Sequence, residues 1–293
     1  MRGVRTGLAA LALGLCATAP LAAKSKAGEE PPLGTAVDVT DPAMLAAIAE
    51  AERRGRLLWL YDQAAWHATD AMRADIDPSK VAGAAGYVVI PRDGDAMLDV
   101  VFVAERKEAL LEFARYTVDV SKVVSGGPVD GDLPALSPLA ERMFKARGPA
   151  IEAMVKEKYG LCSRSPANTV TLPPDENDVI SFYLLTSTVH DDVYPLGGHY
   201  RADVDADNEV VSTRRYMKSC FDIQLPGTSG KMQDGKRPVA TMVTYLLGDQ
   251  PSEIHSFVAH YVPMQMLIIT VSNEKTWRVG KDKIEQVELK KGS

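Results

Sequence analysis

Along this chain of 293 residues the apolar and polar positions change period several times, and each change predicts an element. An apolar run from Gly7 to Leu15 follows Arg2 and Arg5 and gives way to the small residues Ala17, Thr18, Ala19, Ala22 and Ala23 before Lys24 turns the chain polar. The run is well short of the ~20 residues needed to cross a bilayer, and its layout is that of a secretory signal peptide over residues 1–23. Cleavage is expected after Ala23, with Ala19 as a second small-x-small site; lipidation at Cys16 is the alternative, disfavoured by the bulk of Leu15. Residues 24–41 are charged, contain proline and show no apolar period, which predicts a flexible lead-in. Asp41 then stands as a helix cap before Pro42, and Met44, Leu45, Ile48 and Ala51 recur at helical spacing, predicting a helix over 42–54 that stops at Arg53-Arg54-Gly55. Residues 56–76 mix apolar and polar types and read as a second helix, or a strand running into one, that ends at Asp77-Pro78. From Gly86 the period falls to two, as in a β-hairpin turning at RDGDA, and Ala109 to Val120 reads as a third meander strand against a helical alternative. The breaker cluster SGGPVDGDLP (125–134) separates this part from a helical stretch over Pro138–Tyr159. Strands follow at 168–172, 179–188, 199–204, 210–217 and 238–247, then a short helix over Pro251–Tyr261 capped by Asp249 or Ser252, then strands at 266–272, 276–279 and 284–289.

The fold class predicted is α+β: N-terminal helices with an antiparallel β-meander over 42–134, then a mainly antiparallel β-rich C-terminal half with one short helix, together with the helical stretch that opens it, over 135–293. Whether the meander and the C-terminal sheet share one core is not legible at this level.

Composition narrows the function classes. Of 33 basic side chains, removal of the signal takes Arg2 and Arg5 and leaves 31 against 39 acidic, a net charge of −8. Such a balance argues against a nucleic-acid partner, and no transmembrane run follows the signal. Export also weakens any case for nucleotide chemistry; GTSGK (227–231) lacks both the leading Gly and the trailing Ser or Thr of a phosphate loop. The mature chain keeps two cysteines, Cys162 and Cys220. In an oxidising compartment they predict a disulfide, with buried free thiols as the alternative and a metal site weaker still, since neither has a Cys or His two to four residues away.

Candidate chemistry lies in four places. In DQAAWHATD (62–70) a helix would set Asp62, Trp66 and Asp70 on one face with His67 beside Asp70, an acid–imidazole pair against an aromatic wall; the alternative makes Trp59, Tyr61 and Trp66 core aromatics. Asp203-x-Asp205-x-Asp207 matches the first three ligands of an EF-hand loop, but the twelfth position is Arg214 where Glu is needed, so an acidic hairpin turn is the simpler reading. His190, Asp191, Asp192 and His199 flank a Pro-Leu-Gly-Gly turn, where a divalent metal is conceivable and surface solubility is the plainer account; Tyr200 follows as a candidate binding residue. His255 and His260 diverge by about 140° on a helix and share no ligand. No triad or G-x-S-x-G elbow is present.

DQAAWHATDAM, YPLGGHYRADVDADNEVVSTRRYMKSC and QPSEIHSF together resemble a family of uncharacterised exported bacterial proteins, a resemblance that covers most of the mature chain and implies a compartment and a shared fold but no activity. The last ~120 residues are similar in element order to the JAB/MPN-like metalloprotease fold. There zinc is held by a His-x-His-Pro loop and the Asp of Ser-x-x-Asp; here Ser252 matches the serine, His255 stands in place of the Asp, and TYLLGD offers no His-x-His, so the resemblance implies at most a non-catalytic relative. The expectation is an exported, soluble periplasmic or secreted protein that binds an unidentified protein or small ligand, uses no cofactor or metal and does no chemistry. Candidate binding residues are Asp62, Trp66, His67, Asp70, His199, Tyr200 and His255. The alternatives are a metal-dependent hydrolase of the cell envelope using some of His190, Asp191, Asp192, His199 and His255, and a purely structural envelope component.

Overall fold

The structure, a computed structural model, describes residues 32–92, 97–188, 190, 192–226 and 238–289. The stretch expected to be a signal peptide, the lead-in to residue 31, most of the RDGDA turn, Asp191 and GTSGK lie outside the described residues.

Helix α1 (Pro42–Asp75) starts where the sequence says, with Asp41 Oδ1 accepting the Ala43 N–H at 2.9 Å and Pro42 in the first turn. It does not stop at Gly55 but runs unbroken through the whole DQAAWHATD segment. An interior glycine costs a helix about 1 kcal/mol relative to alanine, and here packing offsets that cost. A Cβ on Gly55 would collide with the Ser256 side chain and lie 2.8 Å from the Glu253 carbonyl, so the glycine is where α1 and a later helix touch.

Strands β2 (Ala84–Arg92), β3 (Met97–Arg106) and β4 (Ala109–Asp119) form the expected antiparallel meander, and the strand reading of Ala109–Val120 holds. The meander gains a fourth strand, β5 (Lys122–Pro128), so SGGP belongs to a bulged strand pairing rather than to a loop. Strand β3 is buried on both faces. Val100, Phe102 and Ala104 pack with α1, while Val101 and Val103 pack with Met143 and Ala150 of two short helices, α2 (Pro138–Lys145) and α3 (Arg147–Lys156). The helical stretch over Pro138–Tyr159 is therefore two helices. Pro149 has no N–H for the Lys145 carbonyl, and its ring crowds that oxygen, so one continuous helix could not form.

In the second half, β6 (Asn168–Leu172), β7 (Ile180–Leu185), β9 (Tyr200–Val204) and β10 (Val210–Arg215) make an antiparallel sheet in the order β10-β9-β7-β6, with β8 (Val193–Pro195) and β11 (Asp222–Gln224) as a separate pair. A five-stranded sheet runs β1 (Thr35–Ala36), β15 (Ile284–Glu288), β14 (Lys275–Val279), β13 (Gln265–Thr270), β12 (Ala240–Tyr245). Two features of it depart from the sequence reading. The lead-in supplies β1, a short edge strand against β15. The β12–β13 pair is parallel, because α4 (Glu253–Ala259) carries the chain from the end of one strand back to the start of the next.

Meander and C-terminal sheets share their cores. Phe102, Phe113 and Tyr116 belong to one apolar cluster with α1, Tyr183, Val243, Phe257 and Trp277; Val88, Val101 and Val103 belong to a second with Phe182, Ala202 and Val204.

Candidate functional site

The first turn of α4 is buried throughout, although Ser252, Glu253, His255 and Ser256 are all polar. His255 stands third in the helix and does the work a glutamate does in a capping box: its Nδ1 accepts the Ser252 N–H at 3.0 Å and lies 2.9 Å from the Ser252 hydroxyl. The proton therefore sits on Nε2, which has no hydrogen-bond partner among the described residues. Burial, then Arg214 and His199, lowers the His255 pKa to about 3, so the ring is neutral at any working pH.

Glu253 points into a ring of donors. Its Oε1 accepts from Arg201 Nη1 at 2.9 Å, Tyr216 Oη at 2.5 Å and Tyr183 Oη at 3.3 Å, and Oε2 lies 3.5 Å from Arg214 Nη1. Burial raises both phenols, Tyr183 to about 12 and Tyr216 well above its ordinary value, which keeps them protonated as donors. Next to it, Asp203 accepts from the hydroxyls of Ser181 at 2.7 Å and Ser212 at 2.6 Å and pairs with Arg201 at 3.1 Å. Arg54 of α1 donates to Ser181 Oγ at 2.8 Å and ties the network to the helix. A carboxylate whose lone pairs are taken up by arginine, tyrosine and serine donors has little capacity left as a base or a metal ligand. The sequence reading missed Tyr183, Arg201, Arg214, Tyr216 and Glu253; the legible clue was Arg201 and Asp203, charges at alternate positions of a strand that is otherwise apolar.

His199 is likewise held on both sides. Its Nδ1 accepts the Thr186 N–H at 3.2 Å and its Nε2 donates to the Pro195 carbonyl at 3.0 Å, and burial lowers its pKa to about 4. The glycines before it make room for the disulfide, which joins Cys162 and Cys220 with Cα atoms 5.4 Å apart. At Gly198, with φ of 76°, a Cβ would collide with Thr186 Oγ1 and Cys162 Sγ. Tyr200 is buried and stacks on Tyr159 with ring centroids 4.4 Å apart.

The DQAAWHATD residues separate on the helix. Asp62 turns inward, where Tyr261 donates to its Oδ2 at 2.5 Å, Tyr261 stacks on Tyr194, and burial raises the carboxyl pKa. Trp66 is not a core aromatic: it is 57% exposed and lies against His67, with centroids 4.7 Å apart. Asp70 is exposed. Tyr61 is fully buried, and Trp59 stacks on His260 at 4.5 Å. Asp205 caps its own hairpin turn, accepting the N–H groups of Asp207 and Glu209, while Asp203 faces the buried network. His190 is exposed in a cleft of about 380 Å³ beside the disulfide, on the surface, while His199 is enclosed. Among the described residues no group of three or more His, Cys, Asp or Glu side chains is placed to hold a metal ion, and no helix is long and apolar enough to cross a membrane.

One surface feature stands apart from these saturated groups. A groove of about 280 Å³ is lined by β12 with Leu246 and Leu247 and by Met217, Lys218, Ser219 and Phe221, with Met242 53% and Leu246 54% exposed along it and Tyr216 and Tyr245 among its lining. Comparison with protein-family models, with curated proteins and with solved structures finds no match for this chain.

Proposed function

We propose that this chain is an exported, non-catalytic binding or interaction protein of the periplasm or the extracellular space, similar to the exported bacterial family its motifs resemble. The observation that carries the reading is a contrast. Asp203, Glu253 and His199 are consumed by internal hydrogen bonds, whereas large apolar side chains stand at the surface beside β12. Polar groups saturated in this way specify a fold, and apolar groups left exposed together mark contact with something else. The disulfide and the signal pattern support export. The order β12, α4, β13, β14, β15 supports the likeness to the JAB/MPN-like fold as that of a non-catalytic relative, in which His255 serves a helix cap.

The test is to place a photo-crosslinking residue at Met242, at Trp66 or at Val155, the last an exposed apolar side chain on α3, in protein exported by living cells. A discrete crosslinked species at 242 or 66, and none at 155, is expected. No species at any of the three would overturn the binding reading, and stoichiometric zinc in protein purified without metal-affinity steps would put the metal-dependent hydrolase in its place.

A further inference from the structure

Strand β12 ends its sheet. Among the described residues no strand pairs with its outer side, and the groove described above is lined by consecutive residues Met242 to Leu247, from both faces of the strand, as an edge presents them. Natural sheets guard such edges with lysine, proline, bulges or inward charges, because an unpaired row of N–H and C=O groups accepts any strand that arrives. Within the strand itself such guards are few: Val239 to Leu247, VATMVTYLL, holds no charge, proline or glycine in a chain that is 25% charged. Along β12 the side chains of Met242 and Thr244 are exposed while those of Val243 and Tyr245 are buried, so the surface offers contacts every second residue, the period of an extended chain. The cavity, about 280 Å³, lies below the roughly 300–1,000 Å³ of sites that enclose a small molecule; it suits one or two side chains of a segment whose backbone lies outside it. Among the described residues Lys218, on the opposite wall, is the one charged residue lining the groove, and a lysine there favours an acidic group on the incoming segment.

We infer that this groove binds an extended polypeptide segment by strand addition to β12, with apolar side chains at alternate positions over Met242 and Leu246 and an acidic residue or terminal carboxylate at Lys218. The inference rests on the binding reading and gives that reading a partner chemistry. The partner's main chain supplies hydrogen bonds to β12 and its alternate side chains supply selectivity.

The experiment selects a phage-displayed random heptapeptide library on the mature, disulfide-bonded protein, with the Met242→Lys variant for counter-selection, and measures the best synthetic peptide by fluorescence anisotropy. Expected are peptides with apolar residues at alternate positions and an acid near one end, about tenfold weaker binding when the amides facing β12 are N-methylated, since each blocked bond removes a net contribution that multiplies, and weaker binding to Lys218→Glu. Three results would overturn the inference: no sequence enriched over counter-selection, equal affinity of the N-methylated peptide, or a wild-type dimer in sedimentation that Met242→Lys dissociates, which would give the edge to a second copy. If peptide selection fails while a crosslink forms at Trp66 in cells, the groove assignment falls and the binding reading stands; if no position crosslinks, both fall.

Discussion

At the scale of single residues, the buried imidazoles carry a pH dependence whose sign follows from their surroundings. His199 and His255 have folded pKa values of about 4 and about 3, set mainly by burial, against about 6.5 in an unfolded chain. Above pH 6.5 neither state holds the proton and nothing is gained or lost. As pH falls below 6.5 the unfolded chain takes up protons that the folded one refuses, so stability declines until the folded values are reached, by about 1.6 kcal/mol for each ring between pH 6.5 and 5. Asp62 works the other way, since its raised carboxyl pKa lets the folded state bind a proton first on acidification, so a single variant is needed to isolate one ring. His199→Asn keeps an acceptor at the Nδ1 position for Thr186, gives up the donor to Pro195 at both pH values alike, and cannot titrate. Urea unfolding at pH 7.5 and pH 5 is expected to show a stability difference about 2 kcal/mol smaller in the variant than in the wild type. An unchanged difference would mean that His199 already binds its proton in the folded protein.

At the scale of elements, contact between α1 and α4 explains why a glycine flanked by arginines does not end a helix. Intrinsic propensity says that Gly55→Ala stabilises an interior helix position by about 1 kcal/mol. The close approach of Ser256 and the Glu253 carbonyl says the reverse, because the added methyl must push α4 and its buried polar turn outward. Overpacking of this kind costs about 1–3 kcal/mol, and the expected outcome in urea unfolding is a net loss of about 1–2 kcal/mol after the propensity gain. A stabilised variant would show that the two helices separate readily. Propensity and period located the longer strands, including Ala109–Asp119, where alternation prevailed over a helix-like composition, and missed β5, β8 and β11, which are short or rich in glycine. They failed where a contact distant in sequence decides: at Gly55, at β1, whose partner lies some 250 residues away, and at the parallel β12–β13 pair, which depends on where α4 returns the chain.

For the molecule as a whole, the disulfide spans 58 residues and links the loop before β6 to the segment between β10 and β11. On the chain-entropy account, closing a loop of that length stabilises the fold by about 4 kcal/mol. Reduction under native conditions, or the paired Cys162→Ser and Cys220→Ser change, is expected to lower the urea midpoint and to steepen the transition somewhat, since the unfolded chain without the crosslink exposes more surface. A midpoint indifferent to reduction would show that the bond is not formed in the protein. With both apolar clusters drawing residues from the meander and from the C-terminal sheets, loss of the crosslink is felt across the described fold as one transition.

The α+β class, the alternation of β2 to β4, the cap at Asp41, the acidic hairpin at Asp205 and the cysteine pair were legible in the sequence, because each depends on neighbours a few residues away or on residue chemistry alone. The candidate site was not. Asp62, Trp66, His67 and Asp70 share a stretch of sequence yet divide between a buried tyrosine cluster and open surface, since a helix packed on one side sorts its residues by angle. His199 and His255 look like ligands in a string of letters; in three dimensions Thr186 and Pro195 hold both ring nitrogens of His199, and His255 uses its Nδ1 to cap its own helix at Ser252. Arg201, Arg214 and Glu253, whose charges look fit for solvent, meet in the interior because strands and a helix far apart in sequence bring compensating partners together. The open edge of β12 is likewise a property of sheet order, which tertiary packing determines.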